Sequence, residues 1–186
     1  MNNKSYPALA IAKLRGFKNS MRRKYYKLLG LQIQNGGVLG KIICEWPNKV
    51  SIGSKCIIED NVVFKIPKPF NTDNYIEIGD RVFIGMSCQF NCNTRIKIGD
   101  DSMVASNTTF VDTGHETNPG FKINEQALIV GEIIIGKDVW IGTGCKVLKG
   151  VTIGNGSIVG AGSVVNKPIP DYQIWAGVPA RFIRNR

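Results

Sequence analysis

Along most of this chain a large apolar residue returns at every sixth position. The first run is Ile52, Ile58 and Phe64, and the second is Ile78, Ile84, Phe90 and Ile96. Then come Ile98, Val104 and Phe110, and the longest run is Ile135, Ile141, Val147, Ile153, Val159 and Val165. Glycine commonly follows the large residue, as in Ile84-Gly85 and Ile141-Gly142. Four positions after it stands a small or β-branched residue: Cys56, Val62, Val82, Cys88, Ser102, Thr108, Val139, Cys145, Val151, Ser157 and Ser163. A period of six matches neither the 3.6 of a helix nor the 2 of an alternating strand. It fits a coil with flat sides, each side a short strand that sends one large side chain inward. Glycine or asparagine turns the chain at each corner, where φ can be positive. Three sides close one turn, and successive turns stack as parallel strands. The predicted fold is therefore all-β, a parallel β-helix, and residues 41–170 form it.

Two interruptions mark where something leaves the coil. One is the stretch from Lys65 to Asn74, and the other is a polar, Gly- and Pro-bearing loop over 115–132. Loops carried by a rigid scaffold are where function concentrates. The chain's single histidine, His115, stands at the start of the second, closing Phe110-Val111-Asp112-Thr113-Gly114-His115.

Residues 1–40 read differently. The formal net charge is +10, and up to Lys41 the chain holds Lys4, Lys13, Arg15, Lys18, Arg22, Arg23, Lys24 and Lys27 without one acid. Leu9, Leu14, Phe17, Met21, Tyr25, Leu28 and Leu29 recur there at three- and four-residue steps, which predicts a basic amphipathic helix ending near Gly30. Three roles fit it: packing on the coil with a solvated basic face, lying on anionic lipid, or meeting an anionic glycan. Nucleic acid is not an expected partner, because the basic segment has no aromatic stacking platform on a sheet.

The five cysteines, Cys44, Cys56, Cys88, Cys92 and Cys145, are odd in number and lack metal-ligand spacing. Small buried thiols are the expectation. No stretch of about twenty apolar residues spans a bilayer, and Met1-Asn2-Asn3-Lys4 leads into no secretory core. The expected location is the cytoplasm, with a peripheral position at the inner membrane face if the helix meets lipid.

The segments Ile135-Gly136-Lys137-Asp138-Val139-Trp140-Ile141-Gly142 and Val151-Thr152-Ile153-Gly154-Asn155-Gly156-Ser157-Ile158-Val159-Gly160-Ala161-Gly162 resemble the hexapeptide-repeat O-acetyltransferases. The closing Ala176-Gly177-Val178-Pro179-Ala180-Arg181 is similar to the exit segment of that family, which includes galactoside and maltose enzymes and sugar acetyltransferases of capsule and lipopolysaccharide. The resemblance implies a left-handed coil, a homotrimer, and acetyl-CoA as acyl donor in the groove between neighbouring chains, with no metal required. It implies His115 as general base. A base with a pKa near neutrality suits this chemistry, because an alcohol attacks a thioester only as its proton is taken. Asp112 or Glu116 is a candidate to orient the ring. The resemblance sets Trp140 beside that histidine, an ordinary buried aromatic being the competing reading. It brings Thr143 and Ala161 to the pantetheine arm, and Asn166, Lys167, Arg181 and Arg184 to the far end of the cofactor, where cations meet phosphates. Residues 171–186 form a C-terminal tail.

The N-terminal module of the galactoside and maltose enzymes is missing here, and their acceptor-side asparagine has no counterpart around Gly85-Met86-Ser87. The first departure, with the basic helix in place of that module, points to a saccharide acceptor within a surface polysaccharide or glycolipid precursor; the second leaves the acceptor open. N-acetylation of an amino sugar is the alternative. A metal-dependent carbonic anhydrase on the same coil needs three histidines, and a purely structural solenoid would show flat threonine faces without a long loop.

Overall fold

The computed structural model describes residues 6–71 and 73–186; Met1 to Lys4 and Thr72, which belong to the segments above, lie outside the described residues. Three sheets of short parallel strands wrap a triangular prism. The first face stacks Gln32–Ile33, Val50–Ile52, Tyr75–Ile78, Arg95–Ile98, Ile133–Ile135 and Thr152–Ile153. The second stacks Val38–Leu39, Ile57–Ile58, Phe83–Ile84, Met103–Val104, Trp140–Ile141, Ile158–Val159 and Gln173–Gly177. The third stacks Ile43–Cys44, Val63–Lys65, Gln89–Asn91, Thr109–Val111, Lys146–Leu148 and Val164–Val165.

Every residue of the six-residue runs is buried, and so is every small residue four positions on. Each large side chain fills the prism beneath the one in the next coil, as in the stack of Phe64, Phe90 and Phe110 with centroids 5.2 and 4.7 Å apart. The small residues close the corners. Ser102 Oγ donates to Gly136 O at 2.9 Å and Thr108 Oγ1 to Gly142 O at 3.1 Å, satisfying carbonyls that the strand ladders leave over. Between the first and second faces a column of side chains does the same for amides: Asp80 accepts from Ser54 N, Asp100 from Asp80 N, Asn155 from Lys137 N and Asp171 from Asn155 N.

Cysteines take their expected place in this core. Burial pushes the Cys88 thiol up to about 11 and the Cys92 thiol up to about 12, and it raises Cys44, Cys56 and Cys145 as well. At pH 8 only about a thousandth of a thiol of pKa 11 is thiolate, the reactive form. Iodoacetamide at pH 8 should therefore leave Cys88 and Cys92 of the folded protein unlabelled under conditions that label them fully in denaturant, as read by mass spectrometry. Rapid native labelling of either would contradict their burial.

The coil takes in more chain than the repeat marks. It begins at Gln32, inside the stretch assigned to the helical segment: Ile33 and Leu39 are buried one six-residue step apart, and Glu45 stands where the next large residue would come. It also continues into the tail, where Ile158 pairs Ile174 and Val159 pairs Trp175 before Ala180–Asn185 folds back antiparallel. At the other end, helix α1 (Tyr6–Leu28) closes the first coil. It stops where predicted, with Gly30 at φ +95°. Asn19 accepts from Leu39 N at 2.8 Å and donates to Gly37 O, Arg22 and Arg23 donate to Leu39 O and Gly36 O, and Tyr26 donates to Ile42 O. Gly37 is obligatory beneath this contact: its φ is +78° and a Cβ would lie 2.0 Å from Cys56 O. The helix thus docks through polar side chains. The helix packs on the coil, with Tyr26 against the core, but its apolar stripe stays exposed.

Candidate active site

All the irregular chain leaves at one corner, between the third face and the first. Residues 66–74 depart there, and residues 112–132 depart two coils later. Between them the coil is two residues longer: Ile78 pairs Ile98, whereas Ile135 pairs Ile153. The extra residues form the turn at Asn93 and Thr94, and it closes around Asp112. That carboxylate is fully buried. It accepts from Asn93 N at 2.9 and 2.8 Å, from Thr94 N at 2.7 Å, and from the hydroxyls of Thr94 and Thr113 at 3.1 Å each. Main-chain donors of this number stabilise a carboxylate without a cation. The partners of Asp112 are thus a turn of the coil and not the imidazole, a correction to its candidacy for orienting the ring.

From Asp112 the chain rises as a hairpin. Thr113–His115 pairs antiparallel with Leu128–Val130, His115 opposite Leu128, and Gly131 N donates to Asp112 O at 2.9 Å. The β-branched Ile129 and Val130 favour this pairing. The tip is ordered by Gln126, which accepts from Asn118 N at 2.8 Å and donates to Phe121 O at 3.1 Å. Phe121, Ile123, Leu128, Ile129 and Val130 nevertheless face outward. His115 and Glu116 are both exposed. Among the described residues the His115 ring has no hydrogen-bond partner, and the Glu116 carboxylate has none. The stem of Lys149 crosses Gly114, where a Cβ would come within 2.9 Å of its Cε.

The other expected site residues are spread around the prism. Thr143 and Ala161 occupy one corner, between the second and third faces, on successive coils. A Cβ on Gly142 would lie 2.5 Å from Ala161 N, so glycine lets the two coils approach. Thr143 Oγ1 is turned down onto Ser106 O at 2.8 Å. Nothing stands within 4 Å of a Cβ built on Gly144 or Gly162, which leaves an open shelf along this corner. Asn166 and Lys167 follow the third face at the same corner as the hairpin, two coils further on. Arg181 and Arg184 sit on the last strand, opposite Ala176 and Ile174, and are exposed. Trp140 is on the outside of the second face, half exposed at 50 %, which rules out an ordinary buried aromatic. In a triangular prism that face lies opposite the corner bearing His115. One chain does not bring the two together.

Trp140 belongs to a ladder. Val38, Ile57, Phe83, Met103, Trp140, Ile158 and Ile174 pair in register, all on the outer side of the second face. The first face carries Ser51, Glu77, Lys97, Ile134 and Thr152 in the same position, with Lys97 paired to Glu77 at 2.9 Å. The second face alone is continuously apolar outside.

Two family models match the coil: the bacterial transferase hexapeptide (six repeats) over residues 132–167, and the hexapeptide repeat of succinyl-transferase over residues 75–109. Across these two segments the chain is of the hexapeptide-repeat transferase type. Among hexapeptide-repeat relatives, a probable acetyltransferase of Mycobacterium tuberculosis is 37% identical over 112 residues, covering 60% of this chain and 37% of its own. The galactoside O-acetyltransferase of Escherichia coli is 35% identical over 127 residues, covering 68% of this chain and 62% of its own. The chain therefore spans less than two thirds of the length of these relatives. A hexapeptide-repeat acetyltransferase from Vibrio cholerae, complexed with acetyl coenzyme A, superposes with TM-score 0.59 at 26% identity, covering 100% of this chain and 92% of its own. An N-acyltransferase from Bacillus cereus, in complex with dTDP and coenzyme A, gives TM-score 0.73 at 23% identity, covering 88% and 89%, a likeness of fold.

Among the described residues of this hexapeptide-repeat protein, no three His, Cys, Asp or Glu side chains gather as a metal site would require. Among the described residues no helix is long and apolar enough to cross a membrane. Sequence reasoning missed Asn93, Thr94 and Lys149. The two-residue slip between Ile96 and Ile98 was the available signal for the first pair. Lys149 left none, since Leu148-Lys149-Gly150 reads as an ordinary corner.

Proposed function

We propose that this chain is an acetyl-CoA-dependent O-acetyltransferase acting on a saccharide hydroxyl of a surface polysaccharide or glycolipid precursor. It works as a left-handed, homotrimeric β-helix in the cytoplasm. The observation that carries the reading is the exposed, unpartnered His115 on an ordered hairpin, in a chain 35% identical over 127 residues to a galactoside O-acetyltransferase.

His115 takes the acceptor hydroxyl proton as the oxygen attacks the thioester carbonyl. The C–S bond then breaks, and the CoA sulfur leaves with the proton that the imidazole returns. The shelf at Thr143 and Ala161 suits the thin pantetheine arm, since its glycines put no side chain in the way. Arg181 and Arg184, with Asn166 and Lys167 from another corner, supply polar and cationic groups for the phosphates. Glu116, one residue from the base, is the remaining carboxylate positioned to steady the imidazolium.

The trimer follows from what one chain lacks. An apolar ladder seven coils long asks for a cover, and threefold packing of the second face against a neighbour's hairpin corner would join Trp140 to the partner's copy of the base. Met103→Glu or Trp140→Glu, both at exposed positions, should convert the trimer to monomer in light scattering and abolish turnover while the circular dichroism of the coil persists. A stable, active trimer in either variant would refute this interface.

The function itself is tested by thiol release from acetyl-CoA across a panel of sugars and nucleotide sugars, with product mass and alkaline lability recorded. An O-acetyl product is lost in mild base. A base-stable amide formed only on amino sugars would instead establish N-acetylation.

A further inference from the structure

Helix α1 is half unclaimed by the fold. Its docking side is Asn19, Arg22, Arg23 and Tyr26; residues 9–18 are each exposed, with Arg15 and Lys18 beside the groove between helix and coil. Leu14, Phe17, Met21, Tyr25 and Leu28 form a stripe at three- and four-residue steps, with Phe17 62% and Leu28 88% exposed. At about 100° per residue this stripe is centred roughly 150° from the docking side, so it points away from the prism. Lys13, Lys24 and Lys27 edge it on one flank and Lys18 on the other. Among the described residues, none of these four lysine side chains has an ion-pair partner.

We propose that this outward stripe seats α1 on an anionic lipid bilayer, the helix lying in the interface plane and the prism standing clear of it. An apolar strip with lysines along both edges is the pattern that buries in the acyl boundary while its cations meet lipid phosphates. Charge decides against the other occupants. A second copy would bring the same seven Lys and Arg of α1 and no Asp or Glu, so pairing such helices sets like charges together. An anionic glycan would use the lysines and leave the apolar stripe without a role.

The test is flotation of the full-length protein with vesicles of phosphatidylcholine mixed with phosphatidylglycerol, and with vesicles of phosphatidylcholine alone. Wild type should float with the mixed vesicles and bind neutral ones at least about tenfold more weakly. Phe17→Ser with Met21→Ser should weaken binding at least about tenfold, as should Lys13→Gln, Lys18→Gln, Lys24→Gln and Lys27→Gln together. Both variants should keep the wild-type oligomeric state in sedimentation velocity, since every substituted side chain is exposed. The proposal fails if wild type does not float. It fails equally if the apolar variant floats undiminished, which would mark a polyanion site, or if that variant changes oligomeric state, which would make a second copy the occupant.

Discussion

His115→Ala should lower turnover by roughly a hundred- to ten-thousand-fold, the usual worth of a general base, and leave acetyl-CoA binding unchanged. The separation of the two effects follows from position. His115 is on the hairpin at the corner between the third face and the first, while Thr143 and Ala161 form their shelf at another corner of the same prism. Nor does the fold depend on the ring, which is exposed and makes no hydrogen bond among the described residues. Calorimetry with acetyl-CoA and light scattering should therefore match wild type, and only the rate should fall. A variant retaining most of its rate would remove His115 from the chemistry; one that lost the donor or the trimer would make it structural.

Phe90→Ala should cost about 3–5 kcal/mol of stability, measured by denaturant at fixed protein concentration because assembly contributes to the midpoint. Phe90 is fully buried between Phe64 and Phe110, with rings 5.2 and 4.7 Å away, and neither neighbour can close the gap without leaving its own coil. Close-packed interiors relax only partly around a deletion. Against a total of about 5–15 kcal/mol for an ordinary domain, a loss of this size unfolds a large share of molecules on mild heating. Phe70→Ala is the control: that ring is 88% exposed, so the change should be small. Equal effects at the two positions would show that the aromatic stack carries no special weight.

The prism was legible because its core repeats. One large inward residue per side is a demand that every coil restates, so Ile52 through Val165 announce the fold many times over. The ends were less legible because they do not repeat. Ile33 and Leu39 are buried and take the step of six once, but Glu45 occupies the next place and the run stops before it can announce itself. For the site, the position of His115 at a loop exit was visible in the sequence. The employment of Asp112 was not, since a buried carboxylate serving Asn93 and Thr94 and one serving a histidine look the same in a string of letters. The outward aim of the α1 stripe was hidden for a related reason. Periodicity reveals that a helix has two sides and says nothing of which side meets the protein; here Asn19, Arg22 and Tyr26 decide it through carbonyls that the first coil leaves unpaired.

A stack of identical coils has no inherent length, because each finished coil offers the next one a full set of amides and carbonyls. In this chain growth stops at both ends by a change of pattern. The helix covers the first coil, and on the second face Ala180–Asn185 runs against the direction of every strand before it. A strand of reversed sense presents the wrong spacing to an incoming parallel coil, so a second molecule finds no template there. The hairpin at residues 173–185 is in this sense a chain terminator. A protein cut before Gln173 would keep a complete prism and expose a sticky end, and its natural product would be a fibre instead of a particle of fixed size.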